Sequence, residues 1–285
     1  MQKVTFINAK GDSIILHESP FFLNKIEGLG DVDAENNSQK TAGQDGSTYV
    51  NTTLMERYIP IEVVIHKNLL PNRQLIAKIF NPKLGEGTLI YENDQVRRVI
   101  KAVSEHVPAF EDVRPRLGQR AIIDLVCHDP YFREEHDTKT EIALWQGNLE
   151  FPLEIPEEGM EIGYRTPSLI VNVNNRGHVD TGMTIHFKAL GTVVNPTLID
   201  VNTLESIKLN RTLVAGEVVT INTRRGQKRI ESTLNGVTTN IFNTIVFGST
   251  FLQLDIGDNL FRYTADENED ALEVSIYHST KYVGV

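Results

Sequence analysis

The sequence predicts a mainly β protein of two domains with one helix in the first. Three observations predict it. Short runs rich in β-branched and aromatic residues recur along most of the chain, with turn residues between them. Only the stretch 71–80 stands out for helical spacing. Near the middle, at GQRAIIDLVCHDPYFREE (118–135), an alternating run meets Asp129-Pro130, two aromatics and a charged exit. Proline fixes its own φ and biases the residue before it toward extended geometry, so a strand stops there and a linker begins.

The elements follow in order. Residues 3–7 and 13–16 are two strands around the turn Lys10-Gly11-Asp12. Phe21, Phe22 and Leu23 open an apolar segment that runs to Gly28-Leu29-Gly30. Residues 31–48, DVDAENNSQKTAGQDGST, are polar and aperiodic, with Val32, Ala34 and Ala42 their only hydrophobic residues. They predict a long loop or hairpin tip, mobile in a free monomer. Tyr58 to Ile65 is a β-branched strand. Pro71 to Phe80 is the helix, with proline in its first turn, Leu75, Ile76, Ile79 and Phe80 on one face, and Asn81-Pro82 to end it. Gly87 to Tyr91, Gln95 to His106 and Gly118 to Cys127 complete the first half; in the last, Ala121, Ile123, Leu125 and Cys127 share one face.

The second half is almost purely β. After Ile142–Leu144 and Leu149–Leu153, strands are expected at 168–173, 184–190, 196–201, 206–209, 218–222, 228–232, 245–254, 258–263 and 271–278. Leu234-Asn235-Gly236 and Ile256-Gly257-Asp258-Asn259 read as tight turns. Many short strands with frequent turns indicate a sandwich.

The chain has 285 residues, which suits two domains, and no apolar run of membrane-spanning length. The N-terminus lacks the apolar core of a secretory signal. One cysteine, Cys127, excludes an intrachain disulfide and suits a reducing cytoplasm, so the sequons at Asn36, Asn51 and Asn210 carry no weight. Net charge is −10; the residues after Glu135 hold 12 basic against 19 acidic side chains, and so −7 of it. An acidic chain without a basic patch is a poor candidate for holding nucleic acid by phosphate contacts, but it can line a passage through which DNA slides.

Several motifs resemble one family. The DPYF corner at 129–132, the long loop with Ala42-Gly43-Gln44-Asp45-Gly46, the Arg57-x-Ile59-x-Ile61 strand and the single helix resemble, over about 130 residues, the ring-forming domain of the distal tail protein of long-tailed, non-contractile bacteriophages and prophages. NRGHVDTGMTI (175–185), LxxGEVVTINT (213–223), LNGVTTNIF (234–242), LQLDIGDNLFRY (252–263) and the ending KYVGV resemble that family's C-terminal domain over about 110 residues. The resemblance implies a split-barrel-like ring-forming domain over 1–135. It also implies a peripheral sandwich over 136–285, similar in fold to galectins and carbohydrate-binding modules. It implies a virion structural protein of the tail tip or baseplate, made in the host cytoplasm. There it would form a ring, hexameric in the family, at the distal end of the tail tube. Its implied partners are further copies of itself, the tail tube protein, and a fibre, spike or tail-associated lysin; DNA would be passing cargo, and no membrane partner is implied.

No catalytic, cofactor or metal site is expected. Cys127, His128, Asp129 and His136 are the closest potential ligands, but 127 and 128 point to opposite strand faces and Pro130 turns the chain before 136. Carboxylate pairs at Glu134-Glu135, Glu157-Glu158, Asp266-Glu267 and Glu269-Asp270 lie in turns without an aromatic platform and read as solvated charge. Trp145 reads as a packing residue and, less readily, as a sugar-stacking one. His186 lies in a sandwich strand, without the ordered set a galectin-type site needs. The basic run Arg224 to Arg229 reads as a solvated turn, with a contact to an acidic neighbouring subunit as the alternative. The second functional reading is a carbohydrate-binding host-adhesion protein using the sandwich.

Overall fold

In the computed structural model, residues 2–112, 118–147, 163–167 and 170–285 are described. The chain divides into two compact units, residues 1–135 with 281–285, and residues 136–280. The expectation placed the last five residues with the second domain; they belong instead to the first unit.

The first unit begins with β1 (Lys3–Ile7), β2 (Ser13–Leu16) and β3 (Phe21–Ile26). A ribbon of β4 (Ala34–Gln39) and β5 (Thr48–Leu54) follows, then β6 (Arg57–Ile65) and the helix α1 (Leu69–Ile79). β7 (Gly87–Glu92), β8 (Arg97–Ser104), β9 (Ala109–Phe110), β10 (Gln119–Cys127) and β11 (Phe132–Arg133) complete the run. The main sheet has the order β2-β1-β7-β8-β10-β6-β3, with the short strands beside it. β6 and β10 form its longest ladder, from Gln119 opposite Ile65 to Cys127 opposite Arg57. Both alternate strictly, so Ile59, Ile61, Val63 and Ile65 meet Ala121, Ile123, Leu125 and Cys127 in the core. α1 buries Ile76 and Ile79, and Phe80 stacks on Phe6 with ring centres 4.6 Å apart. Leu75, expected on the buried face, is 38% exposed.

The second unit contains β12 (Thr138–Glu141), β13 (Ala143–Gly147), β14 (Gly163–Pro167), β15 (Val171–Asn175) and β16 (Thr181–Ala189). Next come β17 (Val193–Val194), β18 (Thr197–Asp200), β19 (Ser206–Lys208), β20 (Thr212–Leu213) and β21 (Val218–Asn222). β22 (Arg229–Leu234), β23 (Val237–Asn240), β24 (Gln253–Leu254), β25 (Gly257–Thr264) and β26 (Leu272–His278) follow. One sheet runs β12-β26-β16-β21-β22-β23 with β24 beside β16, and a second runs β15-β25-β18-β19. Ile185, Phe187, Val219 and Ile221 of the first and Val173, Leu198, Phe261 and Tyr263 of the second share one core, so the unit is a sandwich. The chain then returns to the first unit, where β27 (Lys281–Tyr282) pairs with β11.

The turn at Asn235-Gly236 is as expected, both residues taking positive φ (51° and 79°). Two further expectations fail. Residues 245–252 are not a strand: Phe242–Thr244 is a 3-10 turn, Ile245 makes a single bridge to Leu209, and only Gln253–Leu254 forms a strand. Gly257-Asp258-Asn259 is not a turn but the start of β25. Buried Asn259 there donates to the carbonyls of Val173, Asp255 and Gly257. Residues 149–153 and 168–169 lie outside the described residues.

Candidate functional site

The polar segment 31–48 is neither a bare loop nor part of the main sheet. It makes most of the β4–β5 ribbon, whose register runs from Ala34 opposite Leu54 to Gln39 opposite Thr48 with a bulge at Asn37–Ser38. Among the described residues, each strand of the ribbon pairs only with the other. Every residue of β4 and nearly all of β5 are exposed on both faces, including Tyr49 at 65% and Val50 at 58%. Tyr49 donates to Thr52, and Thr52 to Asn36, so side-chain bonds brace the ribbon. The main-chain bond from Met55 to the Asp33 carbonyl (2.8 Å) closes its base.

Arg57, the first residue of β6, sits at that base. It shares the inward face with Ile59 and Ile61 and is fully buried. Its Nε donates to the Pro130 carbonyl (2.8 Å), Nη1 to the carbonyls of Gly28 (2.5 Å) and Asp31 (3.1 Å), and Nη2 to that of Val283. The guanidinium also lies against the Phe132 ring. Burial lowers its pKa, opposed by the charge of Asp31. The sequence puts Arg57 in a strand and assigns it no role. Its signal was the period-2 pattern, which puts an arginine in register with core isoleucines.

The other candidates disperse. Cys127 is buried, and burial pushes its thiol up to about 12. His128 is exposed and bonds to Glu56 (2.7 Å). Asp129 accepts from the Tyr131 amide and from Arg133 (2.8 Å), fixing the corner. His136 is exposed, and among the described residues no group of three His, Cys, Asp or Glu could hold a metal. Glu134 accepts from Tyr282 (2.8 Å) and Glu135 pairs with Arg97 (2.7 Å). Asp266 is held low by hydrogen bonds from Lys208 and then Asn195, and Glu269 accepts from Thr264. Glu157-Glu158 and the Trp145 side chain lie outside the description. The basic run folds onto its own unit: Arg224 pairs with Asp137 and Arg225 with Asp180, both at 2.7 Å, and Lys228 lies over Phe251.

His186 packs against Tyr277, ring centres 4.8 Å apart. Burial and then the charge of Lys139 lower its pKa. Register places Ser275, His186, Thr220 and Glu231 in one cross-strand row of half-buried polar residues.

Residues 9–127 match the family described as phage tail protein RIFT-related domain, and residues 176–282 the siphovirus-type tail component, C-terminal domain. No curated protein matches the chain. Among solved structures, the Dit protein of phage SPP1, described as a paradigm of hub adsorption apparatus in phages infecting Gram-positive hosts, shares the fold over 98% of both chains. The TM-score is 0.67 at 14% identity. Two structures of the phage P2 baseplate in its activated conformation, with Ca and with Sr, each align over 100% of both chains with a TM-score of 0.55, at 13% and 12% identity. These relatives are structural tail proteins rather than enzymes. With both family domains present in order and the fold shared end to end, the chain belongs to the siphophage distal tail proteins, structural components of the phage tail.

Proposed function

We propose that the protein forms a closed ring at the distal end of the tail tube, joining tube to fibre, spike or tail-associated lysin and leaving a passage for DNA. Residues 1–135 with 281–285 are the ring-forming unit, and 136–280 the peripheral one. The observation that carries the reading is the β4–β5 ribbon. A two-stranded hairpin is at best marginally stable alone in water. This one carries apolar side chains and, among the described residues, no other strand pairs with it, so a neighbouring subunit supplies its natural cover. Identical arms meeting identical neighbours build a heterologous contact, and such contacts form a ring when the rotation between copies closes. Asp31, Asp33, Glu35 and Asp45 outnumber Lys40 in the segment, so wherever it faces the passage it repels a DNA backbone. The related structures support the reading, since their descriptions concern a hub and a baseplate.

The test is negative-stain microscopy of the purified protein, alone and with tail tube protein, beside a variant in which two glycines replace residues 34–54. The Asp33–Met55 bond makes that closure short. Wild type gives rings with a central hole; the variant keeps its circular dichroism and loses ring mass in light scattering. A variant that assembles with wild-type mass and enters tails normally sinks the reading.

One observation favours a second reading, glycan adhesion: the polar row of His186 and its neighbours beside Tyr277. Saturable binding on a glycan array, lost in Tyr277→Ala, would establish it.

A further inference from the structure

The two roots of the ribbon are Gly28–Asp33 before β4 and Met55–Arg57 after β5. Both are held by groups from elsewhere in the chain. Arg57, on the second root, donates to Gly28 and Asp31 on the first. The same guanidinium reaches the Pro130 corner and Val283. Residues 283–285 then run along the first root. The Val285 amide donates to the Leu29 carbonyl at 3.2 Å, and a Cβ on Gly284 would lie 3.1 Å from the Gly30 Cα. Gly28 takes φ +76°, and a Cβ there would fall 1.9 Å from the Tyr58 carbonyl oxygen, so this root lies directly on β6. Each part is placed by contact with the next.

We infer that Arg57 and residues 283–285 form a clasp that sets the direction of the ribbon. Residues that follow the second unit in sequence thereby become determinants of how the first unit meets its neighbour. The inference rests on the reading of the ribbon as an assembly arm. Its chemistry is specific to arginine. Four carbonyls from three chain segments, that of Pro130 buried and the others partly so, converge on one planar fork; lysine presents one ammonium on a flexible stem and cannot span them. Each carbonyl loses a charge-assisted bond if the fork goes, and a buried acceptor without a donor is costly. Phe132 beneath the fork fixes its plane.

The experiment is hydrogen exchange with mass spectrometry on the full chain, on a variant stopping after Tyr282, and on Arg57→Lys. The truncation keeps β27 and removes only the part of the tail that touches the root. Expected is roughly tenfold faster exchange in peptides covering 27–34 and 48–56 in both variants, the loss of one charge-assisted bond, with 119–127 unchanged. Ring mass by light scattering should fall with it. If Arg57→Lys does not fold, the truncation decides alone. Wild-type exchange at 27–34 in the truncated protein overturns the clasp. Loosened roots with undiminished ring mass would leave the clasp standing and retire the arm reading, so the two failures are distinct.

Discussion

The guanidinium carbon of Arg57 lies 5.0 Å from the centre of the Phe132 ring, and both side chains are fully buried. The contact joins the start of β6 to the residue after the Pro130–Tyr131 corner. The charge is held by main-chain oxygens on its edge and by a π face beneath it.

Phe132→Ala removes that face and leaves a cavity. Truncating a buried aromatic costs about 3–5 kcal/mol. Differential scanning calorimetry should show the transition of the first unit falling while that of the second holds. An unmoved transition would show that the ring carries no packing energy.

Glu217 should make the second unit acid-sensitive. Burial alone would raise its carboxyl, but bonds from Ser232, the Val214 amide and Arg211 outweigh it and hold the pKa below the ordinary 4.5. A depressed carboxylate contributes stability above its unfolded pKa, and that stability drains away as pH falls through the folded value. The melting temperature of the second unit should drop in that acid window, and Glu217→Gln should flatten the drop. Arg211→Met, which leaves the carboxylate buried without the two donors that Arg211 gives Oε1, should cost up to about 3 kcal/mol at neutral pH. A pH-independent melt below 4.5 would contradict the assignment.

Cys127 should be inert in the folded protein. Its thiol is buried and its pKa is pushed up to about 12, so almost no thiolate exists near pH 8. A thiol reagent at pH 8 should label it only after denaturant is added. Rapid labelling of native protein would mean that the β10 end opens.

Val50→Asp separates folding from assembly. Val50 is 58% exposed on the ribbon, and a surface change of this kind alters monomer stability by about 0.5 kcal/mol or less. Buried under a neighbouring subunit, the same charge opposes docking. Unchanged melting with reduced ring mass is expected; unchanged mass would place the residue outside the contact.

Much of the fold is legible in the sequence wherever burial is one-sided. The alternation of 59–65 and 119–127 predicts strands because one face is core and the other is not, and Asn81-Pro82 marks the end of the helix, although its start is Leu69, two residues before the expected Pro71. The ribbon was not legible as strands, because neither of its faces is buried within the subunit and no hydrophobic period can mark it. Residues 245–252 misled in the opposite way: Ile245, Val246, Phe247 and Phe251 look like a strand, yet Phe242 stacks on Phe251 around a 3-10 turn and Phe247 is fully exposed. Two-residue strands such as Phe132–Arg133 and Lys281–Tyr282 are too short for any period. Their pairing is decided by where the rest of the chain brings them, so nothing in KYVGV tells which unit it completes.

The return of residues 281–285 to the first unit has a consequence for synthesis. The unit encoded first is finished last, because Val283 leaves the ribosome only after the whole second unit has been made. A nascent chain therefore carries a ribbon whose root lacks one of its fastenings.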